Sequence, residues 1–177
     1  MTTVETWLSD PDNVGTWTVI PEQSSIAFVT RSFWGLLPVK GTFAEFSGQG
    51  RLTADGEVFS TVEIKAASLQ TGIGKRDDHL RSRDFFDVDN FPLITAEVTA
   101  LAPGSGASAD VAATLTVRGI TKPLSLRTLV TVRADGAVAI SARGKIDRTQ
   151  FEVSGNMLGM MGPTTTLITE TVFAKSR

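Results

Sequence analysis

The side chains best placed for chemistry cluster around one histidine. His79 is the single histidine of 177 residues, and Asp77, Asp78, Asp84 and Asp87 crowd it along the chain. An acid–base centre would use His79 as the base, with one acid orienting it and a hydroxyl nucleophile in reach. Sequence proximity supplies none of that geometry. The structural alternative is that His79 and its neighbouring arginines pin a short helix to the rest of the fold by hydrogen bonds. That is the reading adopted, with no catalytic residue assigned. Asp87-x-Asp89-Asn90 resembles part of a calcium loop but lacks its glycine and its bidentate acid. Gly72-x-Gly74-Lys75 resembles part of a phosphate loop, yet Arg76 stands where a serine or threonine is required.

Composition narrows the choice further. There is no cysteine, so disulfides, thiolate nucleophiles and sulfur-ligated metals are excluded. One imidazole cannot build a histidine-rich metal site, and no metal or other cofactor is expected. A net charge of −2 gives no basic field, which argues against nucleic acid as a partner. No stretch approaches the roughly 18 apolar residues of a membrane span, and no stable membrane insertion is expected. The N-terminus lacks the basic start and apolar run of a secretory signal, so the expected location is cytoplasmic.

The elements that must position these residues are strands. Ile26, Phe28, Thr30 and Ser32 share one side of an alternating run. Val58, Ser60, Val62 and Ile64 share another, with Phe59, Thr61, Glu63 and Lys65 opposite. Ile94, Ala96, Val98 and Ala100 continue the pattern, as do Val111, Ala113, Leu115 and Val117. Leu124, Leu126, Thr128, Val130 and Val132 follow, then Val138, Ile140, Ala142 and Ile146, and a last strand over about 164–174. Asp55-Gly56 and Asp135-Gly136, each between alternating segments, are hairpin signals. With shorter strands at about 16–20, 39–43 and 47–52, the count reaches about eight. The expected fold is all-β, an antiparallel up-and-down barrel with one short helix at about 74–82. A β-sandwich uses the same alternation. Residues 1–13 are expected as a flexible N-terminal tail or strap, and 14–177 as the barrel.

Several motifs, taken together, resemble the YceI-like family. They are Ser68-Leu69-Gln70-Thr71-Gly72, Arg76-Asp77-Asp78-His79-Leu80-Arg81-Ser82, Asp84-Phe85-Phe86-Asp87-Val88 and Phe91-Pro92. Ser24-Ser25-Ile26-x-Phe28, Val39-x-Gly41-x-Phe43, the run from Leu115 to Pro123, and Asp147-Arg148 extend the match from about Trp17 to the C-terminus. The resemblance implies a lipocalin-like barrel that holds a polyisoprenoid or another long amphiphile, often as a homodimer, and it implies no enzyme. A lipid-modifying enzyme with His79 as acid/base is the alternative. The family commonly has histidine where Gln23 and Ser32 stand here, and glycine where Glu152 follows Phe151. These departures are expected to fall near one mouth of the barrel and to alter recognition of the ligand's polar head.

On that basis the bore is expected to be lined by Phe28, Phe43, Val62, Ile64, Phe86, Leu115 and Leu126. Ser32, Phe33 and Trp34 are expected to contact the ligand beside a mouth. Met157 and Met160, in a glycine-rich run, are adaptable enough to form a portal for a flexible chain. The expected partner is a long-chain apolar small molecule such as an isoprenoid, a quinone or a fatty amide.

Overall fold

The computed structural model describes residues 2–32, 34–155 and 162–177. It contains helices α1 (Val4–Ser9) and α2 (Gly74–Arg81). The strands are β1 (Gly15–Val19), β2 (Ser25–Ser32), β3 (Leu37–Phe43), β4 (Phe46–Leu52), β5 (Val58–Lys65) and β6 (Leu69–Gln70). They continue with β7 (Leu93–Pro103), β8 (Ser108–Val117), β9 (Ile120–Val132), β10 (Val138–Asp147) and β11 (Thr164–Lys175).

Eight strands close a ring in the order β1-β4-β5-β7-β8-β9-β10-β11, and β1 returns to β11. All pairings are antiparallel. Strand β2 pairs with β11 beside β1, β3 pairs with β2, and β6 pairs with β3. The chain therefore makes eight consecutive up-and-down passes, three of them interrupted. Pro21 opens the short 3-10 turn that divides β1 from β2, because proline fixes φ and has no N–H for the ladder. The expectation of an up-and-down barrel with a short helix holds, and the sandwich alternative does not. Ring closure leaves no exposed edge among these eight strands.

The turn signals act as their chemistry requires. Gly56 and Gly136 sit at φ +80° and +83°, the left-handed region open to glycine in a tight hairpin. Strand β7 departs from simple alternation. A bulge between Val98 and Ala100 shifts the register against β8, so Ala100 is exposed and Leu101 turns inward. Ala100 therefore leaves the face it was expected to share, because the extra residue of a bulge reverses every side chain beyond it.

The N-terminal segment, expected as a tail or strap, carries α1. Thr3 caps it by accepting the Thr6 N–H at 3.1 Å, and Val4 and Leu8, one helical turn apart, are both buried. Trp7 packs edge-on against Trp17 at 5.2 Å, and the Val4 N–H donates to the Gly106 carbonyl in the β7–β8 hairpin. Helix α1 thus closes one end of the barrel.

Helix α2 and the loop after it close the other end. Arg81 donates from Nε to the Ala67 carbonyl (2.9 Å) and from Nη2 to that of Leu69 (2.8 Å). Buried Asp77 accepts from the Thr71 N–H and hydroxyl. These bonds hold a helix too short and too polar to persist alone.

Candidate functional site

Alternation places one face of every pass inside the ring, and the enclosed space is a cavity of about 260 Å³. Its wall takes Ile26 and Phe28 from β2, Val62 and Ile64 from β5, and Ile94, Ala96 and Val98 from β7. The rest of the ring contributes Leu115 from β8, Leu124 and Leu126 from β9, Ile140 from β10 and Leu167 from β11. From Thr165 to Phe173 the lining of β11 runs about 26 Å at roughly 3.3 Å per residue. A strand tilt of about 40° reduces this to about 20 Å along the axis. The bore is long, narrow and almost wholly apolar.

Two apolar clusters bound it. At the α1 end Val4, Leu8, Trp17, Leu52, Val138 and Phe173 pack together. At the α2 end Phe28, Phe43 and Phe86 form an aromatic triangle with ring centroids 5.6, 6.4 and 6.1 Å apart. Leu80, Phe85 and Phe151 complete that cluster. Gly41, opposite Phe28 across the β2–β3 ladder, makes room for the ring: a Cβ there would lie 2.2 Å from Phe28 Cζ.

Two arginines hold this end in shape. Arg118 lies at φ +52° in the two-residue turn between β8 and β9, and Gly119 follows at +72°. From there Nη1 of Arg118 donates to the carbonyls of Arg83 (3.0 Å), Phe85 (2.8 Å) and Glu152 (2.9 Å), joining three loops. Arg148 is buried and also lines the bore. Its Nε donates to the Gly162 carbonyl at 2.9 Å, and its Nη1 to those of Val153 (2.6 Å) and Gly155 (3.3 Å). Burial pulls its pKa down, and the charge of Asp147 partly offsets this.

Phe28, Phe43, Val62, Ile64, Phe86, Leu115 and Leu126 all line the cavity. Ser32 and Trp34 do not. Ser32 donates to the Leu37 carbonyl at 3.4 Å within the β2–β3 connection, and Trp34 is 73% exposed there. Phe33, Met157 and Met160 lie outside the described residues. The departures at Gln23 and Ser32 do not share a mouth. Gln23 accepts from Arg133 at 2.6 Å beside the β9–β10 hairpin, at the α1 end, whereas Ser32 ends β2 at the α2 end. Gln23 lies in the turn that interrupts the β1–β2 pass and Ser32 at the far end of that pass, a separation residue spacing alone could not show.

His79 sits on the outer side of the α2 cap. Its ring stands edge-on to Phe85 at 5.0 Å, and Nε2 is 3.6 Å from an Asp84 carboxylate oxygen. It is not part of the bore lining. The carboxylate of Asp87, the first acid of the calcium-like fragment, accepts the Asn90 amide at 3.0 and 3.1 Å within a turn.

Sequence reasoning missed Val4, Leu8 and Thr165 in the wall, and it put Thr30 and Thr128 on lining faces without naming them as site residues. The apolar i, i+4 pair behind a capping threonine was a usable signal for the first two. Nothing in composition singles out the threonines.

Comparison with known proteins names this architecture. Solved structures share the fold: Burkholderia cenocepacia BcnA aligns with a TM-score of 0.80 at 21% identity, over 87% of this chain and 98% of that one. A polyisoprenoid binding domain from Saccharophagus degradans aligns at 0.71 and 17%, over 90% and 98%. A Campylobacter jejuni YCEI protein aligns at 0.63 and 25%, over 78% and 85%. In sequence, a UPF0312 protein of Pseudomonas savastanoi pv. phaseolicola is 35% identical over 113 residues, 62% of this chain and 59% of the relative. The matched stretch thus spans a little over half of that relative's length. The sequence model of the YceI-like domain matches residues 17–173, nearly the whole ring, and the chain belongs to that family.

Proposed function

We propose that this barrel carries or sequesters one long apolar molecule, an isoprenoid, quinone or fatty amide, along its bore. The observation that supports this best is the cavity itself. It is about 260 Å³, continuous between the two end clusters, and walled by aliphatic and aromatic side chains from every pass. A packed barrel of this size fills its interior with side chains, whereas a lipid carrier leaves room for one ligand. Binding draws on apolar surface removed from water, at about 25 cal/mol per Å², less the freedom the chain loses. The Saccharophagus degradans neighbour, described as polyisoprenoid-binding, lends the ligand class. Family membership supports the same reading, since the polyisoprenoid binding that the YceI-like resemblance implies requires such a bore.

Chemistry on the bound lipid would need a reactive group facing it. Among the described lining residues the polar side chains are threonines, Ser60, the indoles of Trp7 and Trp17, exposed Arg51 and buried Arg148. None of these is a general base at neutral pH. His79, the natural base, lies outside the lining. The carrier reading is tested by solvent extraction of purified protein, followed by mass spectrometry of the extract. One apolar compound recovered unchanged, near one per chain, supports it. Extracts empty from several preparations, with no uptake of isoprenoid quinones on soaking, overturn it.

A further inference from the structure

Among the described residues, the bore wall has one buried side-chain polar atom left over. Thr30 follows Ile26 and Phe28 on the inner face of β2, is 4% exposed, and its Oγ1 has no hydrogen-bond partner among the described residues. Nearly all buried polar side-chain atoms in folded proteins find one. Thr128, on another part of the same wall, does so by donating to the Ala109 carbonyl at 2.9 Å. The difference makes Thr30 a candidate contact for something the protein itself does not supply. Rotation about χ1 exchanges the positions of its methyl and hydroxyl, a route by which the hydroxyl can meet a ligand in the lumen that Thr30 lines.

The surroundings indicate what that group is. Thr165, also buried and lining the bore, is the register partner of Thr30. Thr165 pairs on its other side with Ile146, two residues before Arg148. Arg148 Nε donates to the Gly162 carbonyl, and the Gly162 N–H donates to the carbonyl of Arg31, next to Thr30. Two hydroxyls and a buried cation thus gather on the wall at the α2 end, while the α1 end is closed by Val4, Leu8 and Trp17. A cation beside a hydroxyl favours an electron-rich oxygen over a donor or a second cation.

We infer that the ligand carries an oxygen acceptor, such as a hydroxyl or quinone carbonyl, held by Thr30 at the α2 end with the apolar tail running toward α1. This rests on the carrier reading and adds the ligand's polarity and direction.

The test uses two matched isoprenoids, farnesol and farnesene, displacing the fluorescent probe N-phenylnaphthylamine from ligand-stripped protein. Thr30→Val keeps the shape and removes the hydroxyl, and Thr30→Ser keeps the hydroxyl. Thr30→Val should weaken farnesol about 3- to 10-fold, the range of one net hydrogen bond. It should leave farnesene unchanged, and Thr30→Ser should bind farnesol better than Thr30→Val does. The melting temperature of empty Thr30→Val should equal or exceed that of wild type, because no internal bond is lost. Equal effects on both ligands, or no effect on either, overturn the inference and leave the carrier reading standing. A lower melting temperature for empty Thr30→Val overturns it as well, since the hydroxyl would then have an internal partner. Failure of wild type to bind either isoprenoid removes the carrier reading, and this inference with it.

Discussion

Ala96→Phe separates a hollow bore from a packed core. Ala96 lies on the inner face of β7, between Val62 of β5 and Leu115 of β8 in the register, and lines the cavity. A cavity of about 150 Å³ is filled by one benzene. A single phenyl ring at this position therefore claims more than half of the 260 Å³. If the ring displaces on the order of 100 Å² of buried lipid surface, about 2.5 kcal/mol of binding is lost, roughly seventyfold in Kd. In the ligand-stripped protein the same ring meets space, so the melting temperature should match or exceed that of stripped wild type. A packed core would respond with strain of about 1–3 kcal/mol, a fall of roughly 2–12 °C for a chain of this size. The assay is a fluorescent-lipid titration paired with a melting curve. Thr61→Phe, on the exposed face of β5, serves as the control with unchanged affinity. Strong destabilisation of Ala96→Phe, or unchanged affinity in a stable variant, refutes the reasoning.

Other outcomes follow from the same geometry. Arg118→Ala removes the donor shared by the Arg83, Phe85 and Glu152 carbonyls; hydrogen exchange should rise selectively in the α2 cap, with stability lower by about 1–3 kcal/mol. Glu152 sits at φ +58°, where a side chain is strained, so Glu152→Gly should stabilise by up to about 1 kcal/mol in chemical denaturation. Leu8→Asp places a charge in the α1 plug and should speed lipid dissociation in a stopped-flow competition more than it changes the rest of the barrel. The Asp147 carboxylate is held below its ordinary pKa, chiefly by hydrogen bonds from the Thr149 hydroxyl and N–H. Its contribution is present above the unfolded value of about 3.9 and is lost as pH falls through the folded one, so Asp147→Asn should melt with a flatter profile below about pH 4.

The barrel was legible because a half-buried strand writes its geometry as period-two alternation. Val58 to Ile64, Val111 to Val117 and Leu124 to Val130 point inward as read. What failed depended on pairing between distant segments. The bulge that turns Leu101 inward in place of Ala100 is a register event between β7 and β8, and neither strand alone encodes it. That β1 and β2 are one interrupted pass emerges only when both lie on β11, which is why Gln23 and Ser32 were expected together. The aromatic part of the wall, Phe28, Phe43 and Phe86, was named because the motifs around it are specific. Its polar part was not: Thr30 reads as any β-branched strand residue until burial and the missing bond are seen. Arg118 and Arg148 look like surface charges in sequence, yet Arg118 ties together loops distant along the chain, and Arg148 is buried and donates to the carbonyls of Val153, Gly155 and Gly162.

Whether the bore holds one long apolar molecule is tested most directly by comparing native with denaturing mass spectra of the freshly purified protein. The native species should be heavier by one organic molecule per chain, and Ala96→Phe should lack most of that excess. Native and denatured masses that agree across preparations, and still agree after incubation with isoprenoid lipids, would contradict it.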